Sequence, residues 1–431
     1  MTAGLDEEEE KTSRIGLFGW CLYDWANSAF PAVITTFVFA AYFTKAIATD
    51  EITGTSQWGY AISLSALAVA ILGPFFGAIA DHGGRRKPWI GAFTVLCVAA
   101  SAALWLARPD AGFVMLALVL VGIGNFAFEM GMVFYNAMLP GLAPKGRMGR
   151  LSGLGWGLGY AGGLTCLAVA LVALVETEVP VFGLDKDEAE HLRATGPLVA
   201  AWMAVFAVPF FLWTPDRKGS LSPGGVSALE AVRRGTRTLI ETLRRVREYA
   251  SIWRYLLARM IYTDGLNTLF AFGGIYAVGT FGMDFSELIL FGIAINMTAG
   301  VGAAVFAWID DWVGPKRVIQ ISVTMLGVLG AALVVVEGKA MFWAFALPLG
   351  IFVGPAQAAS RSLMGHLAPA ELRTEMFGLY AFSGKATAFM GPALLAWMTV
   401  EFESQRAGMA TILVFFVVGL ALLTAVPDTR R

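Results

Sequence analysis

Apolar residues in this chain gather into twelve long runs, near 15–48, 57–80, 88–107, 111–140, 150–177, 196–214, 252–282, 286–309, 317–336, 340–367, 375–400 and 405–426, with short polar stretches between them. A helix needs about 20 apolar residues to span a hydrocarbon core, so the pattern predicts an all-α integral membrane protein of twelve crossings. Several runs are long enough that they must tilt, kink or protrude. Composition agrees: 57% of residues are hydrophobic and 15% charged, against roughly 25% charged in soluble domains, and mean hydropathy is +0.67.

Charge then orients the runs. With an even number of crossings both chain ends share a side. Lys11, Arg14, Arg85, Arg86, Lys87, Lys145, Arg147, Arg150, the basic stretch from Arg217 to Arg254, Lys316, Arg317, Arg373, Arg430 and Arg431 fall on that side, against Lys45, Arg108, Lys186, Arg193, Lys339 and Arg406 on the other. Lys and Arg accumulate in cytoplasmic loops, so both termini are expected in the cytoplasm. The opening MTAGLDEEEEKTSR has neither a basic n-region nor a short apolar core, which predicts a solvated acidic tail rather than a signal peptide. Cys21, Cys97 and Cys166 lie within runs and His82, His191 and His366 are scattered, so no disulfide framework, metal site or cofactor is expected. The glycosylation triplet Asn296-Met297-Thr298 falls inside a run, which favours a bacterial plasma membrane. No nucleic-acid partner is expected, and a monomer in the bilayer is.

The runs are one six-helix unit used twice. GAIADHGGRRK, Gly77 to Lys87, joins the second and third, and AWIDDWVGPKR, Ala307 to Arg317, joins the eighth and ninth. Aligning Asp81 with Asp311 brings Gly84 onto Gly314 and Arg86-Lys87 onto Lys316-Arg317. LAP recurs at Leu142 to Pro144 and Leu367 to Pro369, and YDWANSAF at 23–30 is echoed by TDGLNTLF at 263–270. The expected organisation is a tail (1–14), an N-terminal bundle (15–214), a linker (215–250), a C-terminal bundle (251–426) and a short tail (427–431). In the linker, Val232, Leu239, Leu243 and Val246 recur at near-helical spacing among arginines, which predicts an amphipathic surface helix. Positions three apart share a helix face, so Asp24 with Asn27, and Asp264 with Asn267, each form a polar patch. Folding the repeat sets the patches opposite each other near the midplane, where secondary transporters hold their substrates.

The Asp81 loop resembles the signature loop of the major facilitator superfamily, with His82 where a basic residue is usual and Ala307 in place of glycine in the second copy. WCLYDWANSAFPAVITTFVFAAYF and LLARMIYTDGLNTLFAFGGIYA resemble the two halves of the family whose eukaryotic members are autophagy-related vacuolar amino-acid effluxers and whose bacterial members are the unknown major facilitators. The resemblance covers nearly the whole chain. It implies the major facilitator fold, with spans one, four, seven and ten around a central cavity, and so with Asp24, Glu129, Asp264 and Arg361 around one space. It also implies a gate latch in which Asp81, with Arg85 and Arg86, and Asp311, with Lys316 and Arg317, pair with neighbouring helix ends while the protein faces outward.

At 1.5 Å per residue, Asp24 lies about 10 Å inside the cytoplasmic end of its helix, Arg361 about 9 Å, Lys385 about 13 Å, and Asp264 and Glu129 about 13–16 Å. A charge at such depth costs at least ~2.5–3.5 kcal/mol, so each must face a cavity, find a partner or be protonated. A lone acid at such depth could instead be a contact that only holds helices together, but its repetition in both halves favours Asp24 and Asp264 as lining the transport path. Asp24 is the expected proton carrier and Asn27 a hydrogen-bonding group. Lys385 is expected to be a structural partner, for instance of Asp264, and Arg259 to reach the interface by its long stem. Asn125, Tyr135 and Gln357 could add uncharged hydrogen bonds. Pro31 lacks an N–H and should free the Asn27 carbonyl in a kink. Gly155, Gly159 and Gly163, like Gly73 and Gly77, stand four apart, a spacing that lets helices approach closely.

The function these features suggest is secondary transport of a small organic solute by alternating access, with an amino acid favoured and protons the candidate coupling ion. No G-x-x-x-x-G-K-[ST] loop is present to harness a nucleotide. A solute-binding sensor without transport, and an exporter of amphipathic compounds, fit the same cavity. A lipid-modifying enzyme does not, since no nucleophile, base and metal ligands converge.

Overall fold

The computed structural model describes residues 12–428 apart from 84, 177–182, 217–232, 235, 238, 239, 243, 245–247 and 284. The acidic tail before Thr12, the linker positions Val232, Leu239, Leu243 and Val246, and Arg430 and Arg431 lie outside the described residues. Among those described, ten runs are long and apolar enough to cross a membrane. They are α1 (Arg14–Ile47), α2 (Glu51–Gly83), α3 (Lys87–Ala103), α4 (Val114–Leu142), α5 (Met148–Ala170), α6 (Thr195–Trp213), α8 (Phe285–Val313), α9 (Pro315–Val335), α10 (Lys339–Leu367) and α13 (Gln405–Thr424). Between α6 and α8, α7 (Ala250–Phe281) carries Arg254, Arg259 and Asp264 along an otherwise apolar length. The eleventh crossing is made by two short helices, α11 (Arg373–Ser383) and α12 (Met390–Glu401). These complete twelve crossings.

Two helices depart from the run pattern. α1 is α-helical to Asn27, and after Ser28 it continues as π-helical turns over Phe30–Phe37 and Phe43–Ile47 on either side of a short α-helical stretch, Val38–Tyr42. Pro31 has no N–H to give the preceding turn, and a widened turn absorbs that loss. The run at 375–400, expected as one helix, is interrupted by turns at 384–389. Gly384 opens the break and Pro392, in the first turn of α12, has no N–H for the Ala388 carbonyl, signals that the unbroken apolar pattern masks. α7 passes through Gly273 and Gly274 unbroken.

Within the first half α1 packs on α5 and α6, and α3 on α4 and α6; within the second α7 packs on α13, and α9 on α10 and α13. The halves meet where α2 lies along α11 and α5 along α8, with α5 also on α10 and α4 on α11. Large apolar side chains such as Val172, Leu212, Val335 and Val400 stay exposed on the outside of the bundle, as a hydrocarbon solvent requires.

Candidate solute and proton pathway

At the end of the bundle that holds both termini, the two loop acids each cap a helix of the opposite half. The Asp81 carboxylate accepts from the Thr374 amide (2.9 Å), the Glu375 amide (2.9 Å) and the Thr374 hydroxyl (2.6 Å), all at the start of α11. Arg86 clamps this cap, 3.1 Å from Asp81 and 2.8 Å from the Thr374 hydroxyl. Asp311 accepts from the Arg150 amide (3.2 Å) near the start of α5 and pairs with its guanidinium at 3.0 Å. Helix N-termini present unpaired N–H groups and positive dipole ends, so a carboxylate suits them. The other basic residues of these loops turn to their own half. Lys316 donates to the Thr424 and Val426 carbonyls (3.1 and 2.5 Å) and Arg317 lies 3.6 Å from Asp428, both at the end of the last span. Lys87 does the same in the first half, donating to the Phe211 carbonyl (2.9 Å). Arg85 is exposed and lines an open cleft with Lys87, Phe211 and Asp216.

One level deeper lies a buried ion pair between the halves. Arg361 of α10 approaches Asp24 of α1 at 3.1 Å, with the side chains 1% and 6% exposed. The guanidinium also donates to the Ser152 carbonyl (2.6 Å), the Ser152 hydroxyl (3.0 Å) and the Asn136 side chain (3.2 Å). The rings of Trp20, Tyr135 and Trp156 lie 4.9, 5.8 and 5.7 Å from it, close enough for cation–π attraction. Tyr135 donates to the same Asp24 oxygen at 2.9 Å. Room for this cluster depends on Gly155, where an added Cβ would stand 2.6 Å from Asp24 Oδ2 and 2.9 Å from Arg361 Nη2. Gly159 and Gly163, one and two turns on, face Ser28 of α1 as closely.

Asn136 is level with Arg361, and Glu129 lies two turns, about 10 Å, further along α4. There Lys385 reaches Glu129 at 2.8 Å, again joining the halves, but with side chains 30% and 21% exposed. The expected pairing of Lys385 with Asp264 is therefore replaced. The turns at 384–389 carry Lys385 toward the first half, while the Gly391 amide, beyond the break, meets Asp264 Oδ2 at 3.2 Å. Arg259, expected at the interface, is held inside: it donates to the Tyr380 carbonyl (2.6 Å) and the Ser383 hydroxyl (2.7 Å), with its guanidinium 3.5 Å from the Tyr380 ring centre. The two Asp-x-x-Asn patches thus have different surroundings. Asn27 donates to the Met132 sulfur (3.1 Å), whereas Asn267 is exposed and near the Gly384 carbonyl (3.5 Å). Asn125 bonds Ser65 within the first half, and Gln357 accepts from Tyr160 (2.7 Å) across the halves. The four charges expected around one space form three separate sets of contacts. Ser152, Asn136 and Trp156 were not singled out from sequence; only the adjacency of Asn136 to Tyr135 and of Trp156 to Gly155 could have suggested two of them.

Two six-helix bundles joined by paired charges, with caps crossing at one end, define a major facilitator superfamily transporter. Solved structures agree on the fold: a major facilitator superfamily transporter, FucP, in the outward conformation superposes with a TM-score of 0.73 at 13% identity, covering 96% of this chain and 98% of that one. The proton:xylose symporter XylE gives 0.72 at 15% identity, covering 96% of each. The chain belongs to the family described as "Vacuole effluxer Atg22 like", whose model matches residues 45–431. It is 27% identical over 412 residues to the "Uncharacterized MFS-type transporter YxiO" of Bacillus subtilis (strain 168), covering 95% of this chain and 94% of that protein. "Autophagy-related protein 22" of Cryptococcus neoformans var. neoformans serotype D is 24% identical over 299 residues, 65% of this chain, and the match spans only 53% of the fungal protein. The protein is thus a multi-pass membrane transporter of small solutes, in a family of transporters rather than enzymes.

Proposed function

We propose that this transporter moves a zwitterionic solute, an amino acid, by alternating access between the bundles 15–214 and 251–426. It would act as a monomer in a bacterial plasma membrane, with both ends in the cytoplasm and protons as the coupling ion. The observation that carries the solute class is the Glu129–Lys385 pair. It offers one anion and one cation at midplane depth, it joins the halves, and it is the open one of the two inter-half pairs near the midplane. An ammonium can take the place of Lys385 at Glu129 while a carboxylate takes the place of Glu129 at Lys385, so the solute replaces the link it breaks. Arg361, placed from sequence around the same space, is buried against Asp24, Ser152 and Asn136; we assign that pair, with the Asp81 and Asp311 caps, to closing the cytoplasmic side. The resemblance to vacuolar amino-acid effluxers supports the solute class.

Counterflow of labelled amino acids into liposomes preloaded with the same compound tests this. Glu129→Gln and Lys385→Gln should each reduce it at least tenfold. Binding without flux would point to a sensor, and counterflow that survives both substitutions would remove the pair from the solute path. A terminal tag that reacts from outside intact cells would overturn the orientation.

A further inference from the structure

The break in the eleventh crossing leaves two helix ends inside the membrane, and α7 supplies a charge to each. Arg259 sits at the C-terminal end of α11, where it binds the Tyr380 carbonyl and the Ser383 hydroxyl. Asp264 sits at the N-terminal end of the twelve-residue α12, where it accepts from the Gly391 amide. Both charges match the dipole end they face. Asp264, however, is incompletely paired. It is 1% exposed, and its second oxygen, Oδ1, is buried with no hydrogen-bond partner among the described residues.

Four basic groups on the surrounding elements are engaged elsewhere. Arg259 of the same helix is bound to α11, Lys385 of the break to Glu129, Arg361 of α10 to Asp24, and Arg406 of α13 to the Val334 and Val336 carbonyls. The nearby phenols are turned away as well: Tyr255 and Tyr262 bond Ser360, and Tyr276 bonds the Leu333 carbonyl. A single amide is little compensation for a carboxylate at this depth. A hard metal cation would need several oxygen ligands. The Thr268 hydroxyl beside this site donates to Asp264's own carbonyl at 2.8 Å, and Gly391 leaves the space against Oδ1 without a side chain, its added Cβ falling 3.1 Å away. That leaves room for a proton and little more.

We propose that Asp264 Oδ1 is the site of the coupling proton, held as the neutral acid against the start of α12 while the cytoplasmic side is closed. The assignment rests on the transporter reading but not on the identity of the solute. Protonation forms one O–H bond at Oδ1 and takes the carboxylate from −1 to 0. The proton comes from water in the outward cavity and returns to water on the cytoplasmic side. Loss of the proton restores a full charge facing the Gly391 amide and draws α12 toward α7. Lys385 belongs to the same break, so the pull on α12 reaches the cation that pairs with Glu129.

Infrared spectra of the purified protein, recorded across a pH titration without solute, test the site directly. At neutral pH wild type should show a carboxylic-acid C=O component that the spectrum of Asp264→Asn lacks. In liposomes, Asp264→Asn should lose accumulation of labelled alanine driven by a pH gradient and keep alanine counterflow within several-fold of wild type. If Asp264→Asn does not assemble, Asp264→Thr keeps an oxygen for the Gly391 amide and is read in the same way. An acid band at neutral pH as strong in the variant as in wild type overturns the proposal, as does pH-gradient-driven accumulation equal to wild type. Absence of alanine counterflow in wild type would remove the solute reading and leave the proton site to stand or fall on the band.

Discussion

Neutralising Arg361 should push the protein toward its cytoplasm-open state far more than neutralising Asp24. The asymmetry follows from what each change leaves behind. Arg361→Gln strands Asp24 beside Tyr135 alone, in a site where its side chain is 6% exposed. Breaking a buried ion pair by removing one partner costs about 3–5 kcal/mol, because the other charge stays buried without compensation. Asp24→Asn strands Arg361 instead, but that cation keeps the Ser152 carbonyl and hydroxyl, the Asn136 side chain and three aromatic faces. Its loss is closer to one charged hydrogen bond, about 1.5–3 kcal/mol.

Opening toward the cytoplasm hydrates either orphan, so both costs fall on the closed state. At 1.4 kcal/mol per factor of ten, Arg361→Gln should shift the closed-to-open ratio by roughly 100-fold or more and Asp24→Asn by roughly 10–100-fold. The double variant Asp24→Asn, Arg361→Gln removes both charges, and should lie within about 1 kcal/mol of wild type, since a buried pair exchanged for neutral partners is often near neutral. Distances between spin labels on Lys145 and Glu371, on the loops after α4 and α10, read the ratio. A double variant as open as Arg361→Gln, or an Arg361→Gln distribution identical to wild type, would refute the assignment of this pair to the closed state.

Gly155→Ala should mimic that effect without touching a charge: its Cβ would overlap both Asp24 and Arg361, an overpacking worth about 1–3 kcal/mol, so thermal stability should fall and the spin-label distances lengthen. Asp81→Asn and Asp311→Asn should each weaken the closed state, since each carboxylate caps a helix of the opposite half beside a guanidinium. Loss of a helix cap costs about 0.5–2 kcal/mol; solute affinity measured by thermal shift should stay within a few-fold, and abolished binding would place these acids nearer the solute than the structure does.

Depth was legible in the sequence, whereas partners were legible only where helices run straight. Asp24 and Arg361 could be set at about 10 and 9 Å from the same end by counting residues, and two opposite charges at one level of an inward-facing repeat do meet. Lys385 could not be placed that way. Its neighbour in the other half depends on a break bounded by Gly384 and by Pro392 in the first turn of α12, and helical counting through the break points it at the wrong acid. Arg259 fails for the same reason: the long stem that would carry it to the interface instead finds the carbonyl end of α11, which exists only because the helix stops there. The signature loops were legible to their acids, since aligning Asp81 with Asp311 finds both helix caps. The basic residues after them share a second use, Lys87 on Phe211 and Lys316 on Thr424, that no spacing announces.

Irregular backbone at membrane depth survives only where its polar groups are satisfied within the protein. The break meets that condition through turn bonds from Lys385 to the Phe382 carbonyl (3.0 Å) and from Met390 to the Thr387 carbonyl (2.7 Å), and through the side chains that α7 sends to either end. α7 and α12 belong to one half, so rocking the halves apart leaves the contact of Asp264 with Gly391 in place. Asp24 and Arg361 belong to different halves, so the same motion must separate them. The two aspartates hold equivalent positions in the repeat, but an acid that loses its cation in every cycle is fitted to sense the gate. One that keeps its place through the cycle, with an oxygen to spare, is fitted to carry a proton from one side to the other.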